Sequence, residues 1–499
     1  MERNKLKFFE KRIYLVLLIA SIFLFFASQE QFVKSDRLWP DEALYSWYAD
    51  NIHKNPAFIF SKELSYPPLV PLILSLSNYF LSPETAYKFT ALIISSIGLL
   101  LCFFLGKKIH SKFTGIASSM IAGFSLVYYF QATFILLDMP SAVLSIVLAL
   151  SLLHVRPSSG KIFDHVLVGI SIAALLLTKM SGIIFVPILL FYYLFALNEL
   201  PFPKRLKKSL IPLCFAVCSL AFMVIKNYLL SGGVIPSMTA FKGKIFIAPF
   251  WSYLAYANIF TLHPFLLIFV IPGSIFLAKL GRKKSLLIFL WIWVPFFVFS
   301  FIPEKNARYL LIICPPLSVL VSLGIEYLLN TAFSKLPKVK TASSIIVVLC
   351  LFLLITHNAK RFNFILQDQI VYGYTGLKEA GILIRNHSQQ GDLIIAKSPR
   401  IIRKYTQIDY KANGGQIVAL PKKREDFLKL VEESKENIIL EIDMWGYPLH
   451  KWLFPVDGNK IKYFRSLGFE VKKIIRKPGI DNGKLMKRPV VLLLYREKT

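Results

Sequence analysis

About eleven apolar runs, each near the length that crosses a bilayer, fill the first 357 residues, and Lys and Arg cluster in alternate gaps between them. Such a chain folds as a polytopic helical membrane protein, because a run that leaves water must satisfy its backbone internally. Composition agrees, with 55% hydrophobic and 18% charged residues, too apolar for a soluble enzyme. The net charge of +30 would suit nucleic acid if it formed one patch. Instead much of the basic excess sits in short clusters between apolar runs, GKKIHSK (106–112), RPSSGK (156–161), PKRLKKS (203–209), KLGRKK (279–284) and SKLPKVK (334–340), as cytoplasmic loops are marked, so nucleic acid is not the expected partner.

Arg3, Lys5, Lys7, Lys11 and Arg12 precede the first run and place the N-terminus inside. That run could pass for a signal peptide, but it reads as a membrane helix tethering the loop that follows. The count then leaves the C-terminus outside. The five cysteines, Cys102, Cys214, Cys218, Cys314 and Cys350, lie within apolar runs without metal or disulfide spacing.

The loop after the first run contains LWPDEALYSWYA (38–49). Pro40 suits a helix's first turn, and Leu44, Trp47, Tyr48 and Ile52 then share one face, which predicts an interfacial helix. Asp41 and Glu42 fall at its N-terminus, where backbone N–H groups favour an ionised carboxylate. Such an acid either caps the helix or acts as a base. Glu63 and Tyr66 follow in the same loop, just before Pro67 and Pro68.

The same alternation places Asp138 outside, at the start of PSAVLSIVLALSLLHV, where it either caps that helix or serves a site. The stretch from Ile162 to Leu197 is twice a span, and the break falls at TKMSG (178–182), which puts Lys179 outside as well. Lys305, Arg308 and Tyr309 open a later run on the same side. Lys179 and Arg308 also fit snorkelling or interfacial anchors. Residues 231–262 read as an outer loop with an interfacial aromatic helix.

From about residue 358 the composition is that of a soluble domain. Strand and helix patterns alternate through DLIIAKS, SPRIIRKYT, QIVAL, KREDFLKLVEES and NIILEID to PVVLLLY, predicting an α/β domain with a largely parallel sheet. The expected domains are thus 1–357 in the membrane and 358–499 outside the cytoplasm.

Outward acids beside outward cations suit transfer of a group from a lipid-linked phosphate, since a cation at the leaving phosphate stabilises the transition state more than the ground state. WPDEALYSWYA, YPPL, LLDMPSAVL, LLTKMSG and KNARYLLIICPPL, in that order, resemble the integral-membrane glycosyltransferases of the protein O-mannosyltransferase and lipid A aminoarabinose transferase superfamily. The resemblance covers roughly residues 10–330. It implies a GT-C fold and an inverting transferase using a polyprenyl-phosphate (dolichyl or undecaprenyl) sugar donor at the outer face of the plasma membrane. The sugar would be mannose or a related hexose or aminopentose, and the acceptor a protein, lipid or glycan.

The resemblance makes Asp41 the general base or acceptor-orienting carboxylate and Asp138 the second-loop acid, and it sets Lys179 and Arg308 at the donor phosphate. Tyr66 stands where many members carry a lysine. Some relatives bind a divalent metal near the acids and others none; no His cluster here decides between them. A flippase of lipid-linked sugars and an inactive scaffold are the competing classes.

Overall fold

Apolar runs bounded by Pro, Gly and basic residues become helices whose ends those residues mark. The computed structural model describes residues 2–34, 38–61, 63–64, 66–81, 83–155, 162–231, 263–302, 306–366, 374, 376–389, 391–406, 416–445, 452–453, 457–481 and 484–498. The chain divides into two compact units, Met1–Val33 with Ala49–Asn363, and Lys34–Tyr48 with Phe364–Thr499. The expected aromatic helix within 231–262 and the RPSSGK turn lie outside the described residues.

The first fifteen helices are α1 (Glu2–Ser28), α2 (Glu30–Lys34), α3 (Pro40–Lys54), α4 (Leu69–Ser77), α5 (Pro83–Ile109), α6 (Lys112–Gly123), α7 (Leu126–Gln131), α8 (Asp138–His154), α9 (Ile162–Thr178), α10 (Phe185–Phe191), α11 (Phe202–Ser231), α12 (Val270–Lys279), α13 (Arg282–Ser300), α14 (Cys314–Ala332) and α15 (Pro337–Leu366). Among the described residues, five helices are long and apolar enough to cross a membrane: Thr85–Ile109, Phe202–Leu229, Arg282–Ser300, Ala307–Ala332 and Val339–Lys360. Five shorter apolar helices, Arg12–Ser28, Asp138–His154, Ile162–Thr178, Met180–Ala196 and Pro264–Lys279, have 10–17 residues. At 1.5 Å per residue the last four reach roughly 25 Å, less than a hydrocarbon core of about 30 Å, while Arg12–Ser28 is the apolar part of the longer helix α1. A polar residue at the end of so short a helix needs a partner within the protein.

The break at TKMSG is where the pattern puts it. Helix α9 stops at Thr178, Lys179 is extended (φ −154°, ψ 131°), and a 3-10 turn over Met180–Ile184 starts the next segment.

Helix α14 is enclosed by its neighbours, and α12 approaches it closely. A Cβ on Gly324 would stand 2.0 Å from the Phe269 carbonyl oxygen, and one on Gly273 2.0 Å from that of Leu320. Such small-residue contacts bring helix backbones together where lipid removes the hydrophobic drive. At the far end of α14 the buried Glu326 carboxylate accepts from Ser111 Oγ at 2.6 Å and from Thr114 Oγ1, and meets His110 Nε2 at 3.4 Å. That cluster fixes the turn between α5 and α6, where Ser111 Oγ also accepts the Thr114 N–H.

The second unit carries α16 (Leu377–His387), β1 (Leu393–Ala396), α17 (Pro399–Thr406), β2 (Gln416–Ala419), α18 (Arg424–Glu433), β3 (Ile438–Asp443), α19 (Gly458–Ser466), β4 (Glu470–Asp481) and β5 (Lys484–Arg496). The sheet order is β2-β1-β3-β5-β4. Strands β2, β1 and β3 are parallel, whereas β5 pairs antiparallel with β3 and β4. The sheet is therefore mixed rather than largely parallel. The pattern missed β4 because register shifts at Val471/Lys473 and Ile475/Arg476 interrupt its two-residue alternation. Ile395, Phe427, Leu440, Phe464 and Leu494 are fully buried in the core between sheet and helices.

Candidate active site

In the first unit the short helices bring the predicted polar residues together. Asp138 is the first residue of α8 and is buried, while Leu137 before it supplies no side-chain cap. Its carboxylate is committed elsewhere: Lys179 Nζ lies 2.5 Å from Asp138 Oδ1. The same ammonium stands 5.3 Å from the centre of the Tyr309 ring, and the Arg308 guanidinium lies 5.6 Å from it. Lys179 thus points into the protein, not along its stem towards solvent as a snorkelling anchor would.

Tyr309 and Arg308 are set by a 3-10 turn, Ala307–Ile313, whose first N–H groups are capped by Asn306 Oδ1 accepting from the Arg308 N–H at 3.1 Å. The Tyr309 ring is stacked on Phe299 at 6.0 Å and 24°. A backed ring beside two cations, one of them ion-paired to an acid, presents net positive charge on a rigid base. Such a cluster suits a phosphate. Lys305, expected beside it, lies outside the described residues.

Glu63 and Tyr66 lie in the first-loop segment of the same unit. Ser61 Oγ accepts the Glu63 N–H at 3.1 Å, and Tyr66 is half-buried. Between them, Lys226 of α11 donates its Nζ to the Leu64 carbonyl. Sequence reasoning missed Lys226. Its signal was one lysine in the apolar MVIKNYLL, and a buried ammonium there is a site candidate in its own right.

The second unit carries the first-loop acids. Helix α3 starts at Pro40, with Asp41 and Glu42 in its first turn. Glu42 is fully buried and its Oε2 accepts the Trp39 N–H at 2.9 Å, while the Trp39 carbonyl accepts the Ala43 N–H. This is the return half of a capping box, so Glu42 fixes the turn that carries its neighbour. Asp41 Oδ1 accepts from Arg400 Nη1 of α17 at 2.8 Å. The Trp39 ring lies 6.0 Å from that of Tyr374, which lies 6.4 Å from that of Trp445. Burial, with the Asp443 and Asp41 carboxylates nearby, pushes the Tyr374 phenol up from its ordinary pKa.

Asp138, Lys179, Arg308 and Tyr309 are therefore brought together, while Asp41 and Glu42 stand in the other unit with Arg400, which the sequence did not single out. Among the described residues no three His, Cys, Asp or Glu side chains gather as metal ligands, so the residues present offer a divalent ion no ready set of donors.

A family model described as dolichyl-phosphate-mannose-protein mannosyltransferase matches residues 65–226. No curated protein matches the chain by sequence. Among solved structures, ArnT from Cupriavidus metallidurans bound to undecaprenyl phosphate is similar with a TM-score of 0.61 at 11% identity, over 96% of this chain and 98% of that one. AglB, the archaeal oligosaccharyltransferase from Archaeoglobus fulgidus, in complex with an inhibitory peptide and a dolichol-phosphate, has a TM-score of 0.59 at 12% identity, over 96% and 74%. The chain therefore shares the fold of these membrane proteins along nearly its whole length, and the mannosyltransferase family model matches one segment within it.

Proposed function

We propose that the protein is an inverting glycosyltransferase that moves a sugar, mannose or a related hexose or aminopentose, from a polyprenyl-phosphate donor to a protein, lipid or glycan acceptor at the outer face of the plasma membrane. The observation that carries this reading is the Asp138, Lys179, Tyr309 and Arg308 cluster. Undecaprenyl phosphate in ArnT and dolichol-phosphate in AglB support a lipid-linked phosphate as the donor's leaving group.

In a single displacement the acceptor's hydroxyl or amine attacks the anomeric carbon, and the bond from that carbon to the phosphate oxygen breaks with its electron pair. The departing polyprenyl phosphate gains negative charge, which Lys179 and Arg308 offset more in the transition state than in the ground state. Asp138 holds Lys179 in place. The acceptor's proton passes to a carboxylate, and the sequence resemblance is what nominates Asp41 for that role. The alternating basic loops of the sequence support an N-terminus inside and a C-terminal α/β domain outside the cytoplasm.

The test is release of polyprenyl phosphate from polyprenyl-phosphate sugars by the full-length, detergent-purified protein, with Asp138→Asn and Asp41→Asn in parallel. Release by the wild type and its loss in both variants, each still folded, is the expected result. Full release by both variants would sink the mechanism. Movement of intact lipid-linked sugar across vesicles without any release would favour a flippase.

A further inference from the structure

Within the second unit, the segment Phe364–Thr499 has no role in the chemistry above, yet its Arg400 forms an ion pair with the first-loop acid Asp41. We propose that Arg400 is a positioning residue for Asp41, so that helix α17 of the C-terminal unit orders the carboxylate that meets the acceptor; the inference rests on the transferase reading for Asp41's role, not for the contact.

The contact comes from a helix face, not from one long side chain. Arg400 donates to Asp41 Oδ1 at 2.8 Å, and Arg403, three residues on, places its guanidinium 5.7 Å from the centre of the Trp47 ring. Residues three apart on a helix face the same way, so α17 meets the 38–48 segment at its start and near its end. Between these points the segment is fixed in two further ways. Glu42 closes the first turn on the Trp39 N–H, and the Trp39 ring packs against Tyr374. Tyr374 itself adopts a left-handed backbone (φ 56°) that a bulky residue rarely takes unless its surroundings impose it.

The ion pair is a poor device for stability. Asp41 is 33% exposed and Arg400 47% exposed, and pairs this accessible to water contribute little to folding. Its effect is geometric. A guanidinium on one carboxylate oxygen fixes rotation about the Cβ–Cγ bond, so an acceptor meets Asp41 in one orientation. Folding should therefore survive the loss of Arg400 while transfer does not.

The experiment compares Arg400→Ala and Arg400→Lys with the wild type in full-length protein. It reads polyprenyl phosphate release, thermal unfolding, and hydrogen exchange of peptides covering 38–48. Arg400→Ala should unfold as the wild type does, exchange faster across 38–48, and lose on the order of 10²-fold in kcat, the scale of a misplaced reacting group. Arg400→Lys, which keeps the charge without the fork, should fall between. Millimolar guanidinium ion should restore part of the activity of Arg400→Ala and none of that of Asp41→Asn, which a purely structural role for Arg400 would not produce. Wild-type rates in Arg400→Ala would overturn the proposal. If the wild type releases nothing from any donor, the transferase reading fails, and the exchange data decide alone: unchanged protection of 38–48 in Arg400→Ala overturns the contact's ordering role.

Discussion

Lys179 and Asp138, 41 residues apart in sequence, form an ion pair whose acid is 7% and whose ammonium is 22% exposed. A pair this enclosed behaves differently from a surface one, because removing either partner strands the other charge. Lys179→Met should lower stability by up to about 3 kcal/mol, and Lys179→Met/Asp138→Asn should recover part of that loss. Transfer should be lost in all of these variants. Thermal unfolding in detergent, with the double variant completing the cycle, measures the first effect; additive losses would show that the two side chains do not depend on one another.

Tyr309 tests how the cations are held. Its ring, backed by Phe299, lies under Lys179 and Arg308. Tyr309→Phe keeps the face and should retain most of the wild-type kcat/KM for the donor. Tyr309→Leu removes the quadrupole and should lower it about tenfold, the equivalent of roughly 1.4 kcal/mol, within the range for a desolvated cation–π contact. Equal losses in the two variants would point to the phenol oxygen instead of the ring.

The second unit holds a buried acid pair outside the proposed chemistry. Burial, then the Asp443 carboxylate beside it, push the Glu441 carboxyl well above its ordinary pKa. Among the described residues Glu441 Oε1 and Asp443 Oδ2 are buried without a hydrogen-bond partner. A proton on Glu441 satisfies both, with Glu441 donating and Asp443 remaining paired to Lys397 at 3.2 Å. The folded state then keeps a proton that the unfolded chain releases near pH 4.3. Stability from this group is present below that pH and falls as pH rises towards the raised folded value. Glu441→Gln mimics the protonated form and should flatten the decline, leaving the unit more stable at neutral pH. Hydrogen exchange of 438–443 in the full-length protein between pH 5 and 8 checks it; a steeper decline in the variant would refute the shared proton.

Local pattern made some of this legible. Pro40 before an apolar face predicted the start of α3, and the lysine, serine and glycine of TKMSG predicted the break at which Lys179 leaves the helix. Lipid requires backbone bonds to close within each helix, so spans announce themselves in sequence. Pairing between distant elements does not. Arg400 lies 359 residues from Asp41, and Lys226 lies 162 from Leu64. Neither has a neighbour in sequence that hints at its partner. The bond from Glu42 back to the Trp39 N–H is equally illegible, because a capping box is recognised by Ser or Thr at the cap position, and Trp39 stands there here.

Lys226 yields a prediction that separates a strap from a binding group. Its buried ammonium donates to the Leu64 carbonyl, two residues before Tyr66 and the Pro67-Pro68 pair. An ammonium desolvated this far is costly unless its hydrogen bonds are worth the loss of water. Lys226→Met keeps the stem's volume and apolar contacts while removing the donor. If the lysine ties the loop down, exchange across 61–68 should rise in the variant and the donor KM should rise with it, while kcat changes little, because the loop is ordered again once substrate is bound. A fall in kcat with unchanged KM and unchanged exchange would instead assign Lys226 to the transition state.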